Sequence, residues 1–494
     1  MKTINDNIVV TPESQGLDSE KVVQFLQIVK RRKINLHSFL LARHGKILAE
    51  GYFPPFNRGF KHRIYSSSKT FVALAIGKAI GEGKIRLSDK LVDFFPEYQV
   101  EERRKWLKQT TVEDALKMSV PILTDSYAGY DGSDWAWTFF NLNEDLKPSG
   151  TVFNYNTSGT FILNVIIEKT TGMPFLEYLR PVFERIGVAD DIWCVQAPDG
   201  FSRGGSGVVI TLRDFAKVGE LLMHRGAHKG EQLIPLDFMV RATSVQISNL
   251  FDNNYTPFMS SGYGYHVWIN ECGWGMYGMG SQLAFCFPKK DLLFVCQGDT
   301  QSSNDICPSV LFDLVQQLFY ETMQKYALPE NPMKHASLVN ALNNLQLNVE
   351  YGKKHSPLEK NISGVKYLLN PNPMGWKWFR LEFLKEEGVL TYENARGEKS
   401  IKFGLGKFVK GKFPETHYYD KVVGKPANRE LNALFSANWL EEKKLLIRNY
   451  IIDVNMGNCF MTFSFKGNEV GLCFNKQMEF SLQDYQGFGG GYQE

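Results

Sequence analysis

The spacing of apolar positions changes along the chain, and each change marks an element. Val22, Phe25, Leu26 and Val29 share one helical face behind Asp18 and Ser19, whose side-chain oxygens can cap a helix start. The basic run Lys30 to Lys33 then sits where a helix dipole favours cations. Residues 37–53 read as a hairpin, with apolar arms around Arg43, His44, Gly45 and Lys46. After IYSSSK, the residues Phe71, Leu74, Ala75 and Ile80 predict a helix that Gly81 and Gly83 end. The stretch from Asp125 to Asn143 is aromatic and polar with little period, which suits a long surface loop or short helices. Helices follow from about Gly159 to Lys169, stopped by Gly172 and Pro174, and from Arg213 to Leu222.

From Gly264 the period becomes strand-like. MGSQLAFCFP and DLLFVCQG flank a turn at Pro288 to Asp291, and a last helix is expected from Pro308 to Tyr326. Helix, hairpin, many helices, hairpin, helix is the order of an antiparallel sheet built from both ends of one domain and covered by helices. Residues 1–327 are therefore read as one α/β (α+β) domain. Residues 328–350 carry two prolines and read as a linker with a short helix from His335 to Leu345. Residues 351–494 read as a β-rich accessory domain, a barrel or sandwich, because KWFRLEF, GVLTYE, LLIRNYII, CFMTFSF and VGLCFN alternate with turn residues. The tail QGFGGGYQE is expected to be loose.

Composition narrows the function. In 494 residues, 56 basic and 53 acidic side chains leave a net charge of only +3. Nucleic-acid binders usually show a strong basic excess, so none is expected as a partner. The apolar runs fall far short of the roughly 20 residues of a membrane helix. The start, MKTINDNIVVTPESQG, has no apolar core of signal-peptide length. Seven cysteines, none in a CxxC pair, suit reduced thiols rather than disulfides or zinc, and a cytoplasmic location is expected. No cofactor or metal is expected. His224 and His228 lie four apart, but the intervening glycine and the lack of a nearby third ligand favour a solvated helix end. The sequence fixes no oligomeric state.

The candidate chemistry begins at Ser66-Ser67-Ser68-Lys69, at the mouth of the predicted helix. Residues three apart share a helix face, so Lys69 can lie beside the Ser66 hydroxyl. Serine needs a proton acceptor to become a nucleophile, and a desolvated amine can be one. An N-cap serine followed by a surface lysine is the plain structural alternative. Ser67 and Ser68 have no lysine three positions on. Downstream, Tyr155-Asn156-Thr157 precedes a helix, and Met276-Tyr277-Gly278-Met279 precedes the second hairpin's turn. Gly204-Gly205-Ser206-Gly207 reads as a tight turn, since no Gly-Lys-Ser/Thr follows as in a phosphate loop. No GxSxG elbow is present, which argues against an α/β-hydrolase. Trp135, Trp137, Phe139 and Phe140 could line a cleft or fill the core.

These three motifs, in this order, resemble the serine beta-lactamase-like superfamily. It includes class C beta-lactamases, penicillin-binding DD-peptidases, related esterases and aminohexanoate-dimer hydrolases. The resemblance extends to HRIYSSSKTFVALAIGKAIGEGKIRLSDKLVDFFPE, GTVFNYNTSGTFILNVIIEKTTG and YGMGSQLAFCFPKKDLLFV, and covers roughly residues 18 to 325. It implies a beta-lactamase/transpeptidase-like fold with a helical subdomain. It also implies an acyl-enzyme hydrolase acting on a small-molecule or short-peptide substrate.

By resemblance, Ser66 would be the acylated nucleophile and Lys69 would hold its proton network. Tyr155 would act as base for acylation and acid for the leaving group. The backbone N–H groups of Ser66 and Met279 would form the oxyanion hole, with Thr157, Tyr277, Gly278, Gly280 and Trp137 around the substrate. If Gly280 were the key glycine instead of Gly278, the second donor would be Ser281. Two positions depart from the beta-lactamase pattern. Met276 stands where a cation would hold a substrate carboxylate, and Thr157 stands where Asn is common. The first departure points towards esters or amides without that anion, with beta-lactams, D-amino-acid peptides or a catalytically idle binding role as alternatives.

Overall fold

Asp18 opens the first helix, α1 (Ser19–Arg31), by accepting the Glu20 N–H at 2.9 Å. Lys30 and Arg31 occupy its last turn. The computed structural model describes residues 4, 8–102, 104–142, 145–250, 261–301, 307–419, 421–478 and 481–494. These form two compact units, Met1–Leu347 and Asn348–Glu494.

The first unit is built on a six-stranded antiparallel sheet. Its strands are β1 (Leu36–Arg43), β2 (Lys46–Tyr52), β3 (Trp268–Asn270), β4 (Gly273–Gly278), β5 (Gln282–Phe287) and β6 (Leu292–Gly298), in the order β2-β1-β6-β5-β4-β3. The two hairpins meet at the centre, where Phe39 of β1 lies opposite Cys296 of β6. Successive strand residues face opposite sides, and the sheet uses both. Phe25 of α1 packs on Phe39 and Phe294, with ring centroids 5.7 and 5.6 Å apart. The opposite face carries helix α4 (Leu212–Met223). A Cβ added to its Gly219 would stand 3.3 Å from Leu293 and 3.5 Å from Ala284.

Two further helices, α2 (Ser68–Gly81) and α3 (Thr157–Thr171), pack against each other. After the polar first turn of Ser68, Lys69 and Thr70, residues Phe71 to Gly77 of α2 are apolar and buried on every side. Its Gly77 admits the Phe238 ring, which a Cβ would meet at 2.6 Å. The stretch around 125–143 holds one short helix, Trp135–Asn141, capped by Asp134. Trp135, Phe139 and Phe140 are buried in the core, whereas Trp137 is half-buried.

Two expectations need correction. The final long helix of the first unit is not a continuous α-helix to residue 326: α-helix Cys307–Val315 passes into a π-helical turn, Gln316–Tyr320. The following helix, Pro332–Asn343, carries Lys334, which pairs with Asp18 at 2.5 Å. The second correction concerns the tail, which is a strand, Gly487–Gln493, paired on both edges. Gly491 is there for room: a Cβ on it would stand 2.0 Å from the Leu368 carbonyl.

The second unit is β-rich, with one short helix at Glu359–Ile362 among the described residues, as the alternating pattern of residues 351–494 predicts. Its ten described strands form one sheet. Nine of them close into a barrel where Gly397–Leu405 pairs with Leu431–Glu441, through Gly404 with Ser436 and Leu405 with Ala437. Val409–Phe413 continues along the remaining edge of Leu431–Glu441. Trp376, Phe379, Leu390, Ile447, Met461 and Phe474 are among the side chains filling the interior.

No helix among the described residues is long and apolar enough to cross a membrane. In the first unit Glu50 of β2 meets Arg213 of α4 through two bonds of 2.8 and 2.6 Å, with both side chains under a tenth exposed. Removing one partner of such a pair strands a buried charge. Glu50→Ala is expected to destabilise the first unit by about 3–5 kcal/mol in urea unfolding. An unchanged midpoint would show that the pair is not structural.

Candidate active site

Ser66 is delivered by a short stretch held from several directions. Strand His62–Arg63 pairs with Val208–Ile210, and the Ile64 N–H continues the contact to the Val208 carbonyl at 2.9 Å. A 3₁₀ turn, Tyr65–Ser67, then leads into α2. Tyr65 has φ +44°, a left-handed conformation rare for a bulky residue, immediately before the serine.

The three serines have different neighbours. Ser67 Oγ donates to the Gln282 carbonyl at 2.7 Å, and Ser68 Oγ accepts the Val208 N–H at 3.0 Å; both are fully buried. These two hydroxyls tie α2 to β5 and to the strand at Val208. Ser66 alone is half-exposed. Its Oγ accepts from Lys69 Nζ at 3.2 Å, and it is in hydrogen-bond contact with the Tyr155 phenol.

Lys69 is 1% exposed. Besides Ser66, its amine donates to the Gly205 carbonyl at 2.8 Å and lies 4.8 Å from the centre of the Tyr155 ring. The Gly204–Gly207 turn supplies that carbonyl, and its glycines serve close packing. A Cβ on Gly205 would stand 2.6 Å from Thr157, and one on Gly204 would stand 2.7 Å from Val72.

Tyr155 sits in the loop entering α3. Asn156 caps that helix through the Gly159 N–H at 2.9 Å. Asp125 Oδ1 accepts the next two N–H groups, from Thr157 at 2.6 Å and Ser158 at 3.1 Å. The Tyr155 ring stacks on Trp268, centroids 5.6 Å apart and 17° from parallel. Burial raises the phenol well above its ordinary pKa. Contact with Ser66 lowers it, while Tyr277 and Asp125 raise it further. The phenol is thus neutral at neutral pH.

The third segment runs along β4. Gly278 closes it and lies so near the stretch before Ser66 that a Cβ would stand 2.1 Å from the Ile64 carbonyl. Met279, half-buried, follows. Gly280 and Ser281 form the turn into β5, at φ +78° and +68°. The buried Ser281 hydroxyl shares a hydrogen bond with Thr300 at 2.7 Å. A Cβ on Gly280 would meet Gln282 and Gly298 and not the Ser66 segment. Met276 is 1% exposed, whereas Tyr277 is half-buried near Tyr155 and Trp268. Trp137 is neighboured by Tyr130, centroids 6.2 Å apart.

Three residues of this region were not legible as site residues. Asp125 seats the Tyr155 loop, and Trp268 backs the phenol ring. His266 is buried at φ +53°, and neither ring nitrogen has a hydrogen-bond partner among the described residues. Burial, and secondarily the Lys69 charge, holds its imidazole well below its ordinary pKa, so it is neutral. A lone histidine in GYGYHVWI gives no signal of this placement. The sequence pair His224 and His228 does not gather further ligands. His224 Nε2 meets Asp291 at 2.9 Å, and no cluster of three or more His, Cys, Asp or Glu suited to a metal stands among the described residues.

The sequence model of the family described as Beta-lactamase matches residues 25–302, more than half of the chain, and this stretch contains all three segments. The chain belongs to the beta-lactamase family. The 6-aminohexanoate-dimer hydrolase of Paenarthrobacter ureafaciens is 28% identical over 213 residues. That alignment covers 40% of this chain and 54% of the relative, about half its length. A provisionally named 6-aminohexanoate-dimer hydrolase from Bacillus anthracis has a similar fold, with a TM-score of 0.50 at 19% identity over 67% of this chain and 91% of that one. So does a provisionally named beta-lactamase from Bacteroides dorei, with a TM-score of 0.50 at 15% identity over 61% and 99%.

The fit of β4 against the Ile64–Ser66 stretch leaves no space at Gly278. Gly278→Ala is expected to cost about 1–3 kcal/mol through overpacking, read by urea unfolding. An unperturbed protein would show that the two segments are not held in contact.

Proposed function

We propose that this beta-lactamase-family protein is a serine hydrolase that cleaves an ester or amide bond of a small substrate through an acyl-enzyme. The observation that carries this reading is the meeting of one half-exposed serine hydroxyl with a buried amine at 3.2 Å and a phenol in hydrogen-bond contact. Ser66 Oγ attacks the carbonyl carbon while its proton passes to the Lys69–Tyr155 pair. The carbonyl oxygen becomes an oxyanion, held by the Ser66 and Met279 N–H groups. The leaving oxygen or nitrogen takes a proton from Tyr155, and the bond to the acyl carbon breaks. Water then attacks the acyl-serine with the same groups in reverse, releasing the acid and restoring Ser66. The reading needs no metal or cofactor.

The neutral phenol suits the acid half of this cycle directly. The base half requires the Lys69–Tyr155 pair to lose one proton first. Substrate choice follows from β4. GWGMYG carries no cation, and Met276 is enclosed, so a substrate carboxylate finds no partner on that strand. Esters and amides without that anion are favoured over beta-lactams and D-amino-acid peptides. Thr157, Tyr277, Gly278, Gly280 and Trp137 are the proposed substrate neighbours. The Paenarthrobacter relative, named for hydrolysis of a 6-aminohexanoate dimer, supports an amide as one substrate class.

Turnover of p-nitrophenyl acetate and of the uncharged amide p-nitroacetanilide should be lost in Ser66→Ala and fall at least about 100-fold in Tyr155→Phe and Lys69→Ala. Nitrocefin should be a poor substrate. Wild-type rates in Ser66→Ala would remove the nucleophile, and fast nitrocefin turnover would overturn the reading of Met276. The pH profile has a definite sign. A base whose pKa is held up is protonated at neutral pH, so its active fraction grows about tenfold per pH unit below that pKa. kcat/KM should therefore climb from pH 7 into the alkaline range; a level profile would contradict a base held up by burial.

A further inference from the structure

At the opposite end of β4 from Gly278, roughly 17 Å away at about 3.3 Å per strand residue, lies a cavity of about 810 Å³. It opens between the β3–β4 turn, the C-terminal end of α4 and the segment around Leu236. Its volume is within the range of small-molecule sites. Met223, Leu236 and Trp274 give it apolar walls.

Arg225 is half-buried and held in place on two sides. Its Nε donates to Thr243 Oγ1 at 3.0 Å, and its guanidinium carbon lies 5.0 Å from the centre of the Trp274 ring. No carboxylate among the described residues pairs with it. The Asn270 side chain has its Oδ1 engaged by the Cys272 N–H at 3.0 Å, and its amide nitrogen is enclosed, with no acceptor among the described residues. The Trp274 indole N–H is likewise enclosed, with no acceptor among the described residues, so neither group is offered to the cavity. Both residues are 6% exposed.

At the rim, Lys289 adds an exposed cation and Glu271 an exposed carboxylate, the latter accepting from Gln316 at 3.0 Å. His224, also in the wall, is engaged with Asp291 at 2.9 Å. The balance of charge suits one negative charge, whereas a phosphate dianion would meet Glu271 as well. A guanidinium fork matches a carboxylate in shape and charge.

We infer that this cavity is a second small-molecule site, separate from Ser66, for an organic monocarboxylate whose apolar body lies against Met223, Leu236 and Trp274 and whose carboxylate pairs with Arg225. Phenylacetate is a suitable probe, with phenylacetamide as its uncharged match. Calorimetry on the full chain should show saturable millimolar binding of phenylacetate, with phenylacetamide about tenfold weaker. Arg225→Gln should bring phenylacetate down to the amide's affinity while ester turnover without phenylacetate stays at the wild-type rate. Leu236 is half-exposed, so Leu236→Trp fills the cavity from its open side and should abolish binding even if Arg225→Gln folds poorly. Equal affinity for acid and amide, binding that survives both substitutions, or no saturable binding of phenylacetate would each overturn the proposal.

Discussion

An ammonium group enclosed to the extent of Lys69 needs acceptors around it, because burying a charge without partners is among the most expensive things a fold can do. Much of the first unit's local architecture answers that need. The Gly204–Gly207 turn brings the Gly205 carbonyl to 2.8 Å, and α2 brings the Ser66 hydroxyl to 3.2 Å. The Tyr155 ring covers the amine from 4.8 Å. Each contact comes from a different part of the chain, so the amine also records whether the Gly204–Gly207 turn, α2 and the loop entering α3 are assembled. The glycines around it follow from the same constraint. Gly205 has to pass Thr157, and Gly278 has to pass the Ile64 carbonyl.

Much of this frame could be read from the sequence because it rests on local signals. The Asp18 cap, the two hairpins and the apolar run of α2 depend on spacing and turn residues. The Ser66–Lys69 spacing places two side chains on one helix face whatever surrounds them. The division of labour among the three serines was less legible. It depends on Gln282 and Val208, each far away in sequence. The placement of His266 and Asp125 is likewise tertiary, since neither stands in a periodic pattern. Trp135, Phe139 and Phe140 were left between cleft and core by their sequence alone, and packing decides for the core.

The tail shows how composition can mislead. Three consecutive glycines lower strand propensity and suggest a loose end. In the barrel one of them, Gly491, is what allows the last strand to lie against its neighbour. Gly491 sits against the Leu368 carbonyl, and the strand is paired along both edges. The π-helical turn at Gln316–Tyr320 is a similar case, since helical periodicity does not reveal a local change of pitch.

The central claim concerns one oxygen atom, and a covalent trap addresses it directly. The intact protein is treated with a fluorophosphonate, digested, and the modified residue located by mass spectrometry. The account predicts a single adduct on Ser66, formed slowly or not at all when Lys69 is replaced by alanine. An adduct on Ser67, Ser68 or a distant residue, or no adduct on folded protein, would contradict it.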